Sequence, residues 1–257
     1  MDSIKSLFYL YQYLADHKIR KIQNMFPGPA ALNSPLSGAV DGDNALRQYM
    51  ENEGSWLKRH VVSAEEGKVV QNDRRIFMEM VLHMKLNGKK TALPIALVGD
   101  KCGKGFGKIR IYHSTWPING EHTSRPPVVW PGVNGEMPEL MERYFRGVTD
   151  DPADPEDVIS LFTEDGYLQE PSGVEFRHMG PEAVREFVGA ALKAGPIRLI
   201  PATTTREGPM FALEYICDGW GEQRFDPIAG CAVYEMTDDL TALKAVRIYD
   251  DVSPPGE

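Results

Sequence analysis

The chain has 257 residues, of which 42% are hydrophobic and 25% are charged, and its formal net charge at pH 7 is −9. This length suits one large domain or two of about 100–150 residues, and the composition is ordinary for a globular protein. Lys and Arg are scattered rather than clustered, and no apolar run approaches the roughly 18 residues that cross a bilayer. We therefore expect no nucleic-acid partner and no membrane partner.

The predicted elements of the first half run from helices to strands. Apolar and aromatic residues at helical spacing, such as Leu7, Tyr11 and Leu14, predict a helix over about residues 3–18. A short helix (KIRKIQNMF), a strand and a third helix opened by GDNALRQYM follow. Three apolar strands complete this half: RRIFMEMVLHMKL, KTALPIALV and GKIRIYH.

The second half repeats this order. It begins with a predicted helix over about residues 138–149, followed by the short helix PEDVISLFTED, a strand and the helix GPEAVREFV. Its later strands are MFALEYICDG, GCAVYEM and LKAVRIYDD. Landmarks recur in the same order at offsets of 133–137 residues, pairing Pro94 with Pro227, Ser34 with Glu170, and Tyr112 with Tyr249. We predict a tandem duplication.

The pattern of each half predicts one α+β domain, since helices are followed by a run of strands. The boundaries are an N-terminal domain at 1–120, a Pro- and Gly-rich linker at 121–137 and a C-terminal domain at 138–257. The order of elements, together with LFTEDGYLQEPSG, GPEAVREFV and KAVRIYDDV, resembles the NTF2-like superfamily, specifically its SnoaL-like and ketosteroid-isomerase-like branch. The resemblance implies two tandem cone-shaped α+β barrel domains, each with three helices packed in a curved antiparallel sheet.

The compartment and cofactor predictions rest on absent motifs. The N-terminus lacks the features of a signal peptide, and the odd count of cysteines (Cys102, Cys217 and Cys231) suits a reducing compartment. No metal-ligand spacing or dinucleotide fingerprint is present. The glycine-rich stretch DKCGKGFGK lies between two predicted strands, where a hairpin is expected rather than a phosphate loop. We predict a cytoplasmic protein that needs neither metal nor cofactor.

Glu170 is the principal catalytic candidate of the second half. The resemblance to the ketosteroid isomerases implies a general base directly before a proline at the end of the first strand, where Glu170 precedes Pro171. It also implies a hydrogen-bond donor on the first helix, which falls on Tyr144. The isomerases' further acid has no counterpart, since Ala232 or a neighbour takes its place, so steroid isomerisation is not expected. The alternative for Glu170 is an ion pair with Arg177 or Arg198.

The strand period adds further candidates to this half. If Val246 and Ile248 face the pocket, Asp250 faces it too, as a second carboxylate or as a partner of Arg198. His178 is either a pocket residue or a turn residue, and Tyr215 is either a ligand contact or part of the core. The predicted substrate-binding set of both halves is Tyr11, His178, Arg198, Tyr215, Met80 and Leu82.

The first half carries different side chains at the positions equivalent to the candidates of the second half. Ser34 stands where the second half has Glu170, beside Asn33, while His113 aligns with Asp250 and His60 aligns with or near Arg198. With Tyr11, these side chains would form an acid/base set near pH 7. The chain also resembles, in architecture, tandem-domain polyether epoxide hydrolases, in which this region carries an inward acid. The alternative is that this half has lost its function, and which cone is active stays open.

The predicted function is acid/base catalysis on a hydrophobic aromatic or polycyclic small molecule. Elimination or lyase chemistry, for example the deformylation of a lignin-derived aromatic dimer, is the leading reaction, and isomerase, polyketide cyclase and epoxide hydrolase are alternatives. A non-catalytic ligand-binding or scaffolding protein is the alternative of a different class. It would use outward sheet faces to dimerise, either between copies of the chain or as an internal pseudo-dimer of the two halves. The interface residues would then be Arg110, Tyr112, Arg247 and Tyr249.

Overall fold

A computed structural model describes residues 3–132, 137–249 and 251. The chain divides into two compact units, Met1–Glu121 and His122–Glu257. Within the described residues, each unit combines helices with one six-stranded sheet. The prediction of two α+β domains in tandem is therefore confirmed.

The first unit is built from short helices and long strands. Its helices are α1 (Ser3–Phe8), α2 (Leu10–Ala15), α3 (Ile19–Gln23), α4 (Gly42–Tyr49), α5 (Ser55–His60) and α6 (Trp116–Asn119), with a π-helical turn at Met50–Gly54. Its strands are β1 (Ala31–Ser34), β2 (Gly38–Asp41), β3 (Val61–Gln71), β4 (Arg75–Leu86), β5 (Lys89–Cys102) and β6 (Gly105–Tyr112). The helix predicted over residues 3–18 is interrupted at Tyr9 and ends at Ala15, before His17 takes a left-handed conformation.

The second unit has the same order of elements. Its helices are α7 (Glu139–Thr149), α8 (Pro155–Ile159) and α9 (Gly180–Ala191), followed by a 3₁₀ turn at Leu192–Ala194. Its strands are β7 (Phe162–Gln169), β8 (Arg177–Met179), β9 (Ile197–Glu207), β10 (Met210–Trp220), β11 (Gln223–Met236) and β12 (Leu243–Ile248). The predicted strand segments do not include β2, β3, β8 or β9. β2 and β8 are too short to show alternation, most residues of β3 are exposed, and β9 carries Pro201 and three threonines.

The two sheets share one topology. Their strand orders are β2-β1-β6-β5-β4-β3 and β8-β7-β12-β11-β10-β9. Neighbours pair antiparallel except at one place in each sheet, where the first and last strands of the unit run parallel. Asn33 pairs there with Arg110 and Gln169 with Arg247, so Ser34 and Glu170 occupy equivalent positions at the ends of β1 and β7.

One landmark of the repeat is out of register. Leu97 pairs with Ile111 in the first sheet, and Ala232 pairs with Ile248 in the second. Three residues before Leu97 is Pro94, but three residues before Ala232 is Ala229 rather than Pro227. The proline match is therefore a similarity of sequence and not of structural position.

The helices of each unit cover one face of its sheet. In the first unit, Leu7, Leu10 and Leu14 pack against alternate residues of β4, including Met80 and Leu82. In the second unit, the helices α7 to α9 pack in the same way against residues that include Leu213 and Tyr215. Burying each such side chain contributes about 1.5–3 kcal/mol, so this face supplies most of each unit's stability.

The opposite face of each sheet contains buried charges. The Arg110 side chain is 1% exposed and donates to both Asp100 oxygens, at 2.5 and 3.1 Å, while Arg75 Nε donates to Asp100 Oδ1 at 2.7 Å. Burial alone would raise the pKa of the Asp100 carboxyl, but the two guanidinium groups outweigh it and hold that pKa below its ordinary value. In the second unit, Arg247 donates to the Tyr167 hydroxyl and to Glu235.

The burial of the sheet face away from the helices affects the prediction of interface residues. Arg110, Tyr112, Arg247 and Tyr249 do lie on the sheet face away from the helices, but all four are buried. These residues are therefore not exposed for an interface between separate copies of the chain, and the predicted internal pseudo-dimer stays a prediction. Homo-oligomerisation itself stays a prediction.

The residues at the start of the predicted linker pack within the second unit. His122 Nδ1 lies 2.9 Å from Asp251 Oδ1, and the Thr123 amide donates to Asp251 Oδ2 at 3.0 Å. The Ala229 amide donates to the Arg125 carbonyl at 2.9 Å. The predicted hairpin in DKCGKGFGK is present, since Cys102 and Gly105 pair directly at the turn between β5 and β6.

Replacing Asp100 with Asn tests the buried ion pair. The change removes the anionic acceptor of a buried guanidinium, so we expect the free energy of unfolding to fall by about 3 kcal/mol near pH 7. Because the pKa of Asp100 is lowered in the folded state, the difference from wild type should disappear as the pH falls through that lowered value. Urea unfolding at several pH values measures both. The matched control is Asp218→Asn, which breaks the solvent-exposed pair with Arg198 and should cost far less.

Candidate functional site

Glu170 and His178 form a hydrogen-bonded pair in the second unit. Glu170 directly follows β7, and the turn at Pro171–Gly173 leads to β8, which pairs antiparallel with β7 so that His178 lies opposite Leu168. The Glu170 amide donates to the Phe176 carbonyl at 3.1 Å and closes this loop. The loop places His178 Nε2 2.5 Å from Glu170 Oε1.

The surroundings of this pair suit proton transfer. The His178 ring stacks on Phe187 of α9, with ring centroids 4.5 Å apart. The side chains of His178 and Glu170 are 26% and 23% exposed, so a ligand can reach them while most of their surface is withdrawn from water. When Nε2 carries the proton and donates it to Glu170, Nδ1 holds the lone pair and can act as a base.

The alternative partners predicted for Glu170 are bound elsewhere. Arg177 donates from Nε to Gln169 Oε1 at 2.8 Å, and its guanidinium lies 4.9 Å from the centroid of the Tyr167 ring. Arg198 lies on the edge strand β9 and pairs with Asp218 at 2.8 Å. The predicted alternative of a Glu170 ion pair with either arginine is therefore wrong, because β8 brings a histidine to that position.

Tyr144 and Tyr215 lie in the core of the second unit. Tyr144 of α7 is in edge-to-face contact with Tyr234, at 5.3 Å between centroids, and burial raises the pKa of its phenol well above the ordinary value. It is therefore a neutral O–H group. The Tyr215 ring covers Gly230 on the neighbouring strand, where a Cβ would collide with it. Asp250 lies outside the described residues.

The residues predicted for the first half are held by separate partners. His60 ends α5, its Nδ1 lies 3.2 Å from the Lys85 carbonyl, and its ring contacts Trp56. His113 is buried, and its Nδ1 lies 2.9 Å from the Ser114 carbonyl. Asn33 and Tyr11 are also buried.

The alignment of His60 with Arg198 is not supported by the strand register. Leu82 pairs with Ala64 in the first unit, and the equivalent Cys217 pairs with Leu199 in the second. Ser63, rather than His60, therefore holds the position equivalent to Arg198. His60 lies three residues earlier, at the end of a helix.

A carboxyl group missed by the sequence prediction lies in the first unit. Glu53 belongs to the π-helical turn, and both of its oxygens accept from Ser34 Oγ at 3.1 Å, while Ser37 Oγ also donates to it. Burial raises the pKa of the Glu53 carboxyl, although hydrogen bonds from Ser37, Tyr49 and Ser34 oppose the shift. Burial also raises the pKa of the Tyr49 phenol well above its ordinary value, with further contributions from Glu53 and Tyr11. Ser34, which replaces the strand-end glutamate, thus contacts a carboxylate from elsewhere.

The local sequence explains why Glu53 was missed. In YMENEGSW, two glutamates close to the end of a predicted helix have the pattern of a solvated acidic turn. The π-helical turn changes the direction of Glu53, and such turns are frequent at functional sites. Gly54 permits this packing, because a Cβ there would collide with the Leu14 carbonyl of α2. Gly54 beside an acid was the available signal, but glycine alone does not predict a π turn.

A cleft of about 370 Å³ in the first unit is lined by residues of α1, α2, α5 and β3. Two residues of the predicted substrate-binding set, Tyr11 and Leu82, line it, whereas Met80 packs in the core. The remaining lining residues are Phe8, Tyr9, Gln12, Ala15, Asp16, Leu57, Lys58, Val61, Val62, Ser63 and Ala64.

Among residues 3–132, 137–249 and 251, no three His, Cys, Asp or Glu side chains are grouped as metal ligands. In the same part of the chain, no helix has the length and apolar character needed to span a bilayer.

Neither a protein-family model nor a curated protein matches the chain. Solved structures similar to it include a candidate polyketide cyclase from Sinorhizobium meliloti, with 19% identity, 44% of this chain and 94% of that chain covered, and a TM-score of 0.37. A protein with a ketosteroid isomerase-like fold from Catenulispora acidiphila has 16% identity, coverage of 46% and 90%, and a TM-score of 0.37. An NTF2-like protein of unknown function from Cytophaga hutchinsonii has 14% identity, coverage of 43% and 86%, and a TM-score of 0.34. These proteins have the fold names that the sequence resemblance indicated, and the likeness says nothing about the reaction.

The raised pKa of Glu53 predicts a pH dependence of stability. The folded state binds this proton more tightly than the unfolded chain, so wild type should lose stability relative to Glu53→Gln as the pH rises from the ordinary value of 4.5 to the raised value. Urea unfolding of both proteins between pH 4 and 8 measures the difference. Glu51→Gln, at an exposed position on the same turn, is the control and should follow wild type. Parallel curves for wild type and Glu53→Gln would contradict the assignment.

Proposed function

We propose that this chain is an acid/base enzyme that moves a proton on a hydrophobic small molecule, without a cofactor, at the Glu170–His178 pair of the second unit. The observation that carries the proposal is the 2.5 Å contact between His178 Nε2 and Glu170 Oε1 at the end of β7. A carboxylate that holds one nitrogen of an imidazole orients the ring and stabilises the imidazolium that forms on protonation.

The proposal assigns His178 Nδ1 as the proton acceptor and Glu170 as the group that orients it. This reverses the sequence prediction, in which Glu170 itself is the base. The substrate's C–H or O–H bond breaks, the proton moves to Nδ1, and the electron pair stays on the substrate. Tyr144, a neutral phenol in the same unit, is the proposed donor to an oxygen that gains negative charge.

The proposed substrate is apolar and aromatic. Phe187 lies against the His178 ring, and the core of the same unit contains the aromatic set Tyr144, Phe211 and Tyr234. Elimination or lyase chemistry, including deformylation of an aromatic dimer, is the finer proposal, with isomerase, cyclase and epoxide hydrolase reactions as variants of the same proton transfer. A non-catalytic ligand-binding or scaffolding role is the second candidate. Met80 and Tyr215, predicted to contact ligand, are packed in the cores, which favours the scaffolding form of this alternative.

Glu170→Gln and His178→Gln test the proposal. On whichever member of a panel of aromatic dimers, polyketides and steroids the wild type converts, each change should lower kcat/KM about 100-fold or more, because the base or its orienting anion is lost. Product formation by mass spectrometry measures the rate. The exposed Glu175 of the same loop supplies the control variant Glu175→Gln, which should keep the wild-type rate.

The pH–rate profile separates the two possible bases. If His178 is the base, the acidic limb of the profile should disappear in His178→Gln and shift in Glu170→Gln. A wild-type rate in Glu170→Gln would contradict the proposal. Binding without conversion of any panel member would favour the ligand-binding role instead.

A further inference from the structure

We propose that the first unit binds an aromatic carboxylate in the cleft between helix α2 and the edge strand β3, and that Lys58 of α5 holds the carboxylate group. This site is separate from the Glu170–His178 pair, and the proposed reaction does not use it. The origin of the space, the aromatic wall and the charge of the cleft each support the proposal.

Ala64 explains why the first unit has space at this place. Ala64 of β3 pairs with Leu82, which belongs to the core, and directly opposite residues of an antiparallel pair share one face of the sheet. At the equivalent place in the second unit, Leu199 pairs with Cys217 and packs against the core. An alanine thus stands in the first unit where a leucine fills the second. The shorter side chain leaves β3 uncovered on its helix side.

Aromatic side chains form the wall of the cleft opposite β3. Tyr11 and Ala15 lie on one side of α2, because they are four residues apart, and Phe8 and Tyr9 extend the lining at the end of α1. The rings of Phe8 and Tyr9 are in edge-to-face contact, with centroids 5.3 Å apart. Tyr9 is 41% exposed and Val62 of β3 is 75% exposed. Apolar side chains exposed around a groove are typical of ligand-binding sites.

The size of the cleft suits a small ring system. Its volume of about 370 Å³ lies at the lower end of the range of small-molecule sites. Leu57 and Leu82, which are both buried, add further apolar surface to the lining. A planar molecule of one or two aromatic rings is therefore the apolar part that fits.

The charge of the cleft selects the polar group of the ligand. Two charged side chains, Asp16 and Lys58, line it. Asp16 is already paired, because its Oδ2 lies 2.8 Å from Lys18 Nζ, and the hydrogen bond from Lys18 is the main cause that lowers the pKa of the Asp16 carboxyl. The ammonium group of Lys58 makes no ion pair or hydrogen bond with any residue of the described part of the chain. An apolar cleft with one uncompensated positive charge favours an anion over an amine or a neutral alcohol.

Neutral donors in the lining suit the same group. The side chains of Gln12 and Ser63 line the cleft, and each can donate a hydrogen bond. A carboxylate has two oxygens that accept such bonds besides pairing with an ammonium group. An aromatic carboxylate is therefore the class of ligand that the cleft fits.

Binding of 2-naphthoate to the full chain tests this inference. Heteronuclear NMR of the isotope-labelled wild type should show a dissociation constant of about 1 mM or lower, with shifts at the amides of Tyr11, Gln12 and Ser63. The uncharged 2-naphthalenemethanol has the same rings and should bind about fivefold more weakly, as expected for the loss of one exposed ion pair. Added salt should weaken the binding of the naphthoate alone.

Four variants separate the parts of the site. Lys58→Gln should weaken 2-naphthoate about fivefold and leave 2-naphthalenemethanol unchanged. Arg59→Gln is the matched control, because it removes the same charge from the next residue, which is exposed and does not line the cleft. Ala64→Leu introduces the leucine of the second unit and should weaken both compounds about tenfold or more. Glu170→Gln should bind both like wild type, which distinguishes this site from that of the proposed reaction.

Thermal unfolding without ligand shows whether each variant is folded. Ala64→Leu should unfold at the same or a higher temperature than wild type, since it adds apolar contact at an exposed position. If it unfolds at a lower temperature, the comparison of Lys58→Gln with Arg59→Gln decides by itself. The inference is overturned if 2-naphthoate does not bind at millimolar concentration or shifts only residues around His178. Equal affinities for the two naphthalene compounds, or unchanged naphthoate binding by Lys58→Gln, would overturn it as well.

Discussion

The parallel pairing of the first and last strands of each unit is the constraint on which both units depend. β1 pairs with β6 and β7 with β12, whereas every other neighbouring pair of the two sheets is antiparallel within the described residues. A parallel pair cannot be joined by a tight turn, so the intervening chain must supply a long crossover. That chain contains helices and most of the sheet of the unit. Residues at the ends of β1 and β7 are therefore positioned by the folded unit as a whole, and not by a local turn.

The two units use this shared position in different ways. In the second unit, Glu170 meets His178 from the neighbouring strand β8. In the first unit, the register places Val40 opposite Leu32 where the second unit has His178, so no imidazole is available there. Ser34 instead contacts Glu53 from a helical turn. The two units thus share one strand topology, whereas the polar groups at this position and the elements that supply them differ.

Some polar side chains stabilise these units, whereas the burial of others lowers their stability. The ion pair between Arg110 and Asp100 is buried with its hydrogen bonds formed, as expected of a structural contact. Tyr49 and Glu53 are different, since burial raises the pKa of both groups and makes each of them harder to ionise. Groups that lower stability are often retained because they take part in function.

The sequence by itself determined the order of helices and strands, the duplication and the position of Glu170 at a strand end. These features depend on local periodicity and on a proline that ends a strand, which neighbouring residues show directly. Only the tertiary structure decided the partners: His178 rather than an arginine for Glu170, Asp218 for Arg198, and Glu53 for Ser34. The partners of Arg198 and Ser34 depend on strand register and on the direction of a π-helical turn, which leave no periodic trace in the sequence. His178 is only eight residues from Glu170, but its position depends on the register of β8, a strand of three residues that is too short to show alternation.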